Sequence, residues 1–377
     1  MNFELEPAYK AIQAEARELA RAVEPIAATA DEMSEVHPGV LAALRKSGLA
    51  ALMVPAAYGG RHEQPDPLAI CLVREILMAT SSHLDSLFAL QGIGSYAISV
   101  GGSEEQRNTW LPKVARGEAL AALALTEEDV GSDLKRVATE LTETADGGLR
   151  LHGSKSFISN AGAADFYIVF AKEAGAYSVV LVPADTKGVS ISPTPVIMAP
   201  HVLGEMVFHN VTLPASARLG TPGRGMDLVL ATLAVFRVSV AGAACGLARA
   251  ALEEAVRHTR TRVQFGRPLA KLGPVAQMLA DCWTEVEMAQ LLTYRAATYA
   301  VADPAAALPH SSMAKLAATE AASKIVDRCV QMMGRFGLIR NSKIERLYRQ
   351  ARPMRIYEGA SEVLRLGIAK QLTEEVR

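Results

Sequence analysis

From Glu6 to about Ala122, apolar residues recur at helical spacing among strong helix formers, as in Leu41-Leu44-Leu49 and Leu68-Ile70-Leu72-Ile76. This pattern predicts a helical first third, broken by turns at Val54-Pro-Ala-Ala-Tyr-Gly-Gly60 and Gly101-Gly102. Between about Leu123 and Pro222 the pattern shortens to β-rich runs: Tyr167 to Phe170, Tyr177 to Val182, Val189 to Ile191 and Met206 to Val211. Turn chemistry at Asp146-Gly-Gly148 and Asp185-Thr-Lys-Gly188 separates them, which predicts an antiparallel barrel or sandwich. Helical periodicity returns over roughly 226–262, 273–301, 311–336 and 361–375, with a break at Asp303-Pro304. The expected domains are therefore residues 1–122, helical; 123–222, β; and 223–377, a helical bundle. No fixed-period repeat supports a solenoid.

The 377 residues carry 39 Lys+Arg against 40 Asp+Glu, a net charge of -1, so no basic excess points to nucleic acid or an anionic membrane. Half the residues are hydrophobic, which places the chain among packed globular proteins. The four cysteines are too scattered for a metal knuckle or a disulfide framework and fit a reducing cytoplasm. The acidic start lacks the basic-then-apolar order of a secretory signal. The longest apolar stretch, Leu228 to Ala248, contains Arg237, so a buried helix is expected there and not a membrane span.

A Walker motif, a GxGxxG after a strand, HExxH, GxSxG and metal-ligand histidine spacing are all missing, which leaves phosphate-loop, metal and serine-hydrolase chemistry without an anchor. Two polar residues stand out instead. Arg237 sits in a helix apolar nearly all round and must find a partner; a structural salt bridge or a snorkelling stem accounts for it as readily as function does. Glu358, in Arg355-Ile-Tyr-Glu-Gly-Ala-Ser-Glu362, precedes a helix that Ser361 is expected to cap, and alone it reads as punctuation.

Four further segments alter that balance: ALTEEDVGSD (124–133), GSKSFISNAGAAD (153–165), RVQFGRPL (262–269) and IERLYRQAR with IYEGASE (344–362). With these motifs in order, and VPAAYGG at 54–60, the chain resembles the acyl-CoA dehydrogenase family of flavoproteins from about Glu6 to the C-terminus. The resemblance implies an α+β fold: an N-terminal helical domain, a central antiparallel β-barrel domain and a C-terminal four-helix bundle. It implies FAD as cofactor and α,β-dehydrogenation of an acyl thioester. Glu358 would take the α-proton and flavin N5 the β-hydride, with electrons leaving to an electron-transferring flavoprotein. Leu125, Thr126, Ser132 and Ser159 would bind the flavin, Thr126 and Ser159 at its edge, and Phe157 would stack on the ring where relatives commonly carry tryptophan. Arg262, Gln264 and Phe265 would reach the pyrophosphate and adenine side of FAD in a neighbouring subunit, joined by Gln331 and Gly334, so a homotetramer built as a dimer of dimers is expected. Ser132, Arg237 and Gly359 would lie at the thioester, and the second base position that some members use is Phe236 here. A metal is not implied.

Departures from the family pattern raise specific questions. Ala360 replaces a usual threonine, Gly334-Arg335 a usual Gly-Gly, and Gly273 a usual glutamine. Arg335 would either clash with FAD or add a charge-assisted bond to its pyrophosphate. Ala234 stands where an aspartate often meets the pantetheine arm, which leaves the carrier open between coenzyme A and an acyl carrier protein. With no arginine in Ser82 to Ser95, a dicarboxylate substrate is disfavoured, weakly because of His83. An oxygen-using flavin oxidase or monooxygenase on the same fold, or a non-enzymatic helical scaffold, are the alternative readings.

Overall fold

The computed structural model describes residues 4–303 and 306–376; Pro304, half of the expected Asp303-Pro304 break, lies outside them. Helix α1 (Pro7–Ala30) starts on a proline and buries Ile12, Ala16, Leu19, Ala20, Val23 and Ala27, a helical stripe. Helix α2 (Pro38–Ser47) is capped by His37, whose Nδ1 accepts from the Gly39 N–H at 3.1 Å, and ends at Gly48 with φ +64°. Leu49 therefore does not extend the Leu41-Leu44 row but opens a separate short 3-10 turn, Leu49–Met53. Helices α3 (Pro67–Thr80), α4 (Ser82–Ile93), α5 (Tyr96–Gly101) and α6 (Glu104–Ala115) follow, the last opened by a Ser103/Gln106 capping box.

The β segment holds β1 (Ala121–Ala124), β2 (Glu140–Glu143), β3 (Leu149–Ser159), β4 (Phe166–Glu173), β5 (Ala176–Pro183), β6 (Val189–Pro193), β7 (Leu203–Leu213) and β8 (Arg218–Leu219). The hydrogen-bonded order is β6-β7-β3-β2-β4-β5-β8, with β1 added beside β4. Pairing is antiparallel apart from β1 and β2 against β4, which are parallel. Strand β1 reads Ala-Ala-Leu-Ala, without a β-branched residue, so its strand state comes from pairing with β4 and not from propensity.

Helix α7 (Gly225–Thr261) leads to a small hairpin, β9 (Val263–Gln264) and β10 (Arg267–Pro268). Helices α8 (Gly273–Ala302), α9 (Leu308–Met333), α10 (Lys343–Ala351) and α11 (Ser361–Glu375) complete the chain. The expected helix over 311–336 begins and ends earlier, and α10 is an addition. At 37 residues α7 is long and apolar enough to cross a membrane, yet 72% of its most apolar window is buried in the protein. The four cysteines are free and buried.

Two compact units form: residues 1–31, 67–85 and 234–377, and residues 32–66 and 86–233. In the first, α7 is rich in small residues because α3 lies against it; a Cβ on Gly246 would stand 1.9 Å from the Glu75 carbonyl oxygen. Asp31, at the end of α1, accepts from Ser81 Oγ at 2.6 Å, the His83 N–H at 3.2 Å and Arg346 Nε at 3.2 Å, which joins three helices through one buried carboxylate. The second unit has its core between the strands, in Leu141, Leu149, Leu151, Val169, Val180, Phe208 and their neighbours.

Glu75 is buried on α3, accepting from Tyr294 Oη at 2.9 Å and Gln290 Nε2 at 3.2 and 3.3 Å. Burial pushes its pKa up to about 7 from 4.5, against those hydrogen bonds and the Arg249 charge. The folded value lies above the unfolded one, so its contribution to stability is fully present below about 4.5 and is lost as pH rises through about 7. Between about pH 5 and pH 8 the wild type is expected to lose on the order of 2 kcal/mol more than Glu75→Gln, read from urea midpoints. Parallel pH profiles for the two proteins would refute this.

Candidate active site

The side chain that is hardest to bury defines the first half of the site. Arg237 follows the buried Phe236 on α7, and its guanidinium donates from Nε to the Glu358 carbonyl at 2.8 Å and from Nη1 to Ser312 Oγ at 3.1 Å. No carboxylate is hydrogen-bonded to it among the described residues, so it is not the simple salt bridge that the sequence allowed. From α9, the fully buried Lys315 donates Nζ to the Gly359 carbonyl at 2.7 Å. Two cations thus hold two successive carbonyls of one turn. Glu358 lies in the left-handed region at φ +52°, beside Gly359 at +114°; that conformation is unfavourable for a glutamate and needs such restraint.

A third contact from α9 fixes the flanks of the turn. Glu320 Oε1 accepts from Arg355 Nε at 2.8 Å and from Ser361 Oγ at 2.7 Å. Ser361 consequently does not cap α11: the N-cap is Ala360, without a side-chain cap, and Ser361 is already helical and turned to Glu320. That corrects the expected capping role.

The Glu358 carboxyl has Oε2 buried with no hydrogen-bond partner among the described residues. Burial raises its pKa, only partly offset by the charges of Arg74, Arg237 and Lys315. Arg74 is itself bound to Asp85 through two hydrogen bonds at 2.9 and 2.7 Å and to Ser239 Oγ at 2.8 Å. Burial depresses Lys315 to about 8 and moves Arg237 down as well, each partly restored by Glu358. A carboxyl with raised proton affinity and a free oxygen is equipped to accept a proton from a weak acid.

In the second unit the 124–133 loop is stapled to β3. The Ser156 N–H donates to the Thr126 carbonyl at 2.9 Å, and Thr126 Oγ1 donates to the Ser156 carbonyl at 2.6 Å. Lys155 Nζ spans the Leu125 carbonyl at 2.9 Å and Glu127 Oε1 at 2.8 Å; burial lowers it to about 8 against the pull of Glu127. The β3–β7 register shifts between Lys155 and Ile158, and there Phe157 takes φ +54° and stays 52% exposed. Ser159 Oγ lies 3.0 Å from His201 Nε2. Ser132 is exposed on the turn that ends the loop.

The RVQFGRPL segment forms the β9–β10 hairpin, with Phe265 at φ +52° and Gly266 at +73° as its two turn residues. Phe265 is 89% exposed, and Gln264 is exposed beside it. Arg262 and Arg335 lie over the same ring, Phe336, at 5.6 and 5.1 Å from its centre. The exposed Gln331 accepts the Gly334 N–H through its carbonyl, and Gly334, at φ +58°, has open space where a Cβ would be. Gly273 opens α8 with equally open surroundings, and Ala234 is buried with its carbonyl held by Ser311 Oγ at 2.9 Å.

The structure thus gathers Arg237 against the turn that holds Glu358 and Gly359, and the Leu125–Thr126 loop against the end of β3 that carries Phe157 and Ser159. Sequence reasoning missed Lys315, Glu127, Lys155 and His201. Lys315 had a signal in Ser311, Ser312, Lys315 and Thr319, a polar row at helical spacing on α9. His201 had none.

Comparison with known proteins agrees along the whole chain. Family models described as acyl-CoA dehydrogenase N-terminal, middle and C-terminal domains match residues 6–118, 122–211 and 223–373. A 3-(aryl)acrylate reductase of Clostridium sporogenes is 35% identical, covering 93% of this chain and 94% of its own. The solved structure of butyryl-CoA dehydrogenase from Megasphaera elsdenii is 30% identical at a TM-score of 0.94, covering 99% of this chain and 100% of its own. An acyl-CoA dehydrogenase complexed with FAD from Bacillus anthracis is 28% identical at a TM-score of 0.93, covering 99% of this chain and 68% of its own.

The turn geometry makes one prediction about Lys315. Lys315→Met keeps the buried stem but leaves the Gly359 carbonyl without its donor, so stability should fall by about 1–3 kcal/mol. Amide exchange over 358–364 should quicken together with that loss. Unchanged stability and exchange would show that Lys315 does not clamp the turn.

Proposed function

The chain belongs to the acyl-CoA dehydrogenase family, whose members are FAD-dependent enzymes with this three-part helical, β and helical fold, and from that premise we propose how its own residues carry the reaction. Glu358 abstracts the α-proton of the acyl thioester. The observation that carries this is its Oε2 oxygen, buried, without a hydrogen-bond partner among the described residues and raised in proton affinity, on a turn restrained by Arg237 and Lys315. Phe236, at the other base position, has no proton acceptor. A thioester α-proton is weakly acidic, so its removal needs both a base and donors to the oxygen where charge develops; the Glu358 backbone N–H is assigned the second task. Arg237 and Lys315 keep that N–H and carboxyl in place by gripping the next two carbonyls. By the family resemblance, Ser132 and Gly359 would each meet the thioester.

The residues present fit FAD on features of their own. Phe157 offers an exposed aromatic face from strained backbone, Gly334 leaves its Cβ space open, and Arg262 and Arg335 present two cations without carboxylate partners among the described residues. When bound, FAD supplies the acceptor for the β-hydride. Leu125, Thr126 and Ser159 would hold its ring edge and Phe157 would stack against it, while Arg262, Gln264, Phe265, Gln331 and Gly334 would hold its pyrophosphate and adenine half. Arg335, held over the Phe336 ring, favours an added phosphate contact over a clash.

The proposed assembly is a homotetramer, a dimer of dimers, in which the hairpin serves a neighbouring subunit. Exposed Phe265, Trp283, Met288, Leu291, Leu366 and Leu372 support it, because single subunits rarely leave so much apolar surface in water. An electron-transferring flavoprotein is the proposed electron acceptor and the cytoplasm the proposed location, the latter supported by four buried free thiols. Coenzyme A is the family's carrier; Ala234 is the one position that keeps a carrier-protein thioester in play.

Anaerobic bleaching of FAD-loaded protein by a panel of acyl thioesters, on coenzyme A and on carrier protein, tests the reading directly; a protein that binds no FAD sinks it. Glu358→Gln should retain FAD and ligand while flavin reduction slows by at least about a hundredfold. Near-normal reduction in that variant would remove Glu358 as the base.

Arg262→Ala and Arg335→Ala should each weaken FAD affinity by about tenfold, with little change in the reduction rate of the loaded fraction. Sedimentation of the same samples should find FAD with the oligomer. Affinity unchanged by both substitutions, or an FAD-loaded active monomer, would overturn this part.

A further inference from the structure

His201 belongs to none of the segments that carry the family resemblance, yet its imidazole touches one of the residues assigned to the flavin. Nε2 stands 3.0 Å from Ser159 Oγ and 3.3 Å from Ser86 Oγ, so one ring nitrogen faces two hydroxyls, one from the end of β3 and one from α4. The placement is built and not incidental. Ser159 is in register with Leu203, the Asn160 N–H donates to the Val202 carbonyl at 2.9 Å, and a Cβ on Gly204 would come within 2.8 Å of Ala161. The 201–204 backbone therefore lies hard against the end of β3, and all three polar side chains are half-buried.

A hydroxyl has one hydrogen and two lone pairs. If Ser159 spends its hydrogen on Nε2, what remains for any other neighbour is acceptor capacity alone. If Nε2 carries a hydrogen and donates it, the Ser159 O–H is free to donate elsewhere. The state of His201 thus fixes which sense of hydrogen bond Ser159 offers. Flavin N5 demands opposite senses in its two redox states: it accepts when oxidised and donates through N5–H when reduced.

We propose that His201 is a positioning residue that accepts the Ser159 hydrogen at Nε2, so that Ser159 turns lone pairs toward the flavin edge and favours reduced FAD. This rests on the assignment of Ser159 to the flavin given above, and it adds a residue to that site. Neutral imidazole with its hydrogen on Nδ1 is the form required, and Ser86 shares the same nitrogen. A merely structural role, in which His201 joins α4 to β3, would alter stability without altering the balance between the two redox forms.

The experiment measures dissociation constants for FAD and reduced FAD, together with the midpoint potential of the bound cofactor. In His201→Leu the ratio of the two constants should move toward oxidised FAD by about tenfold, equivalent to a potential lower by about 30 mV for a two-electron couple. In a Ser159→Ala background the same substitution should move it by less than about twofold, because the group through which His201 acts is gone. His201→Gln, which keeps a hydrogen-bonding group of similar reach, should recover most of the wild-type ratio. No shift, a shift toward reduced FAD, or a full shift that persists in the Ser159→Ala background would each overturn the proposal. Nitrogen NMR of His201 in the unsubstituted protein gives an answer that does not depend on variants folding: Nε2 should shift between the oxidised and reduced forms, and a constant resonance counts against the proposal. Failure of the wild type to bind FAD would instead sink the flavin assignment itself.

Discussion

Everything proposed for Glu358 depends on two cations, the buried Lys315 and the half-buried Arg237, gripping two consecutive backbone carbonyls. A glutamate at φ +52° is held against its conformational preference, and its carboxyl is held away from water without a hydrogen bond to Oε2. Either alone would be relieved by a small rotation of the turn. Arg237 on the Glu358 carbonyl and Lys315 on the Gly359 carbonyl prevent that rotation, and Glu320 fixes both flanks through Arg355 and Ser361. The cost is shared, since burial also pulls the proton affinity of both cations down. The arrangement places a ring of positive charge about a carboxylate without hydrogen-bonding it, so its proton affinity remains raised by burial.

The left-handed backbone of Glu358 recurs at two other motif segments. Phe157 at +54° and Phe265 at +52° share with Glu358 a left-handed backbone that side chains of their size rarely adopt. A register shift in β3 produces the first, and a two-residue hairpin turn produces the second. In each case the strained residue leaves its aromatic ring exposed, Phe157 at 52% and Phe265 at 89%. The supporting structure is correspondingly firm: the buried Lys155–Glu127 pair ties the strand beneath Phe157, and Phe336 lies under Arg262 beside the hairpin.

Much of the plan was legible because its signals are local. Long helices over 225–261, 273–302 and 308–333 follow from periodicity, and the stronger strands follow from Val, Ile, Tyr and Phe in alternation. Strand β1 was not legible, since Ala-Ala-Leu-Ala becomes a strand only through its partner β4. Ser361 misled for a related reason: a serine ahead of a helix reads as a cap, but Glu320, forty-one residues upstream, recruits its hydroxyl instead. Arg335, ambiguous in sequence, lies against an aromatic face that only the folded turn brings to it.

By itself the sequence determined the order of helical and β segments, the family, and the identity of Glu358 as the carboxylate to watch, because those depend on residue type and spacing along the chain. Which groups surround that carboxylate was decided by tertiary structure. Lys315, Arg74 and Arg237 come from three helices distant in sequence, and His201 reaches Ser159 across forty-two residues. Proton affinity and the sense of a hydrogen bond depend on burial and on distances of about 3 Å, and no local pattern of residues encodes such distances between remote parts of a chain.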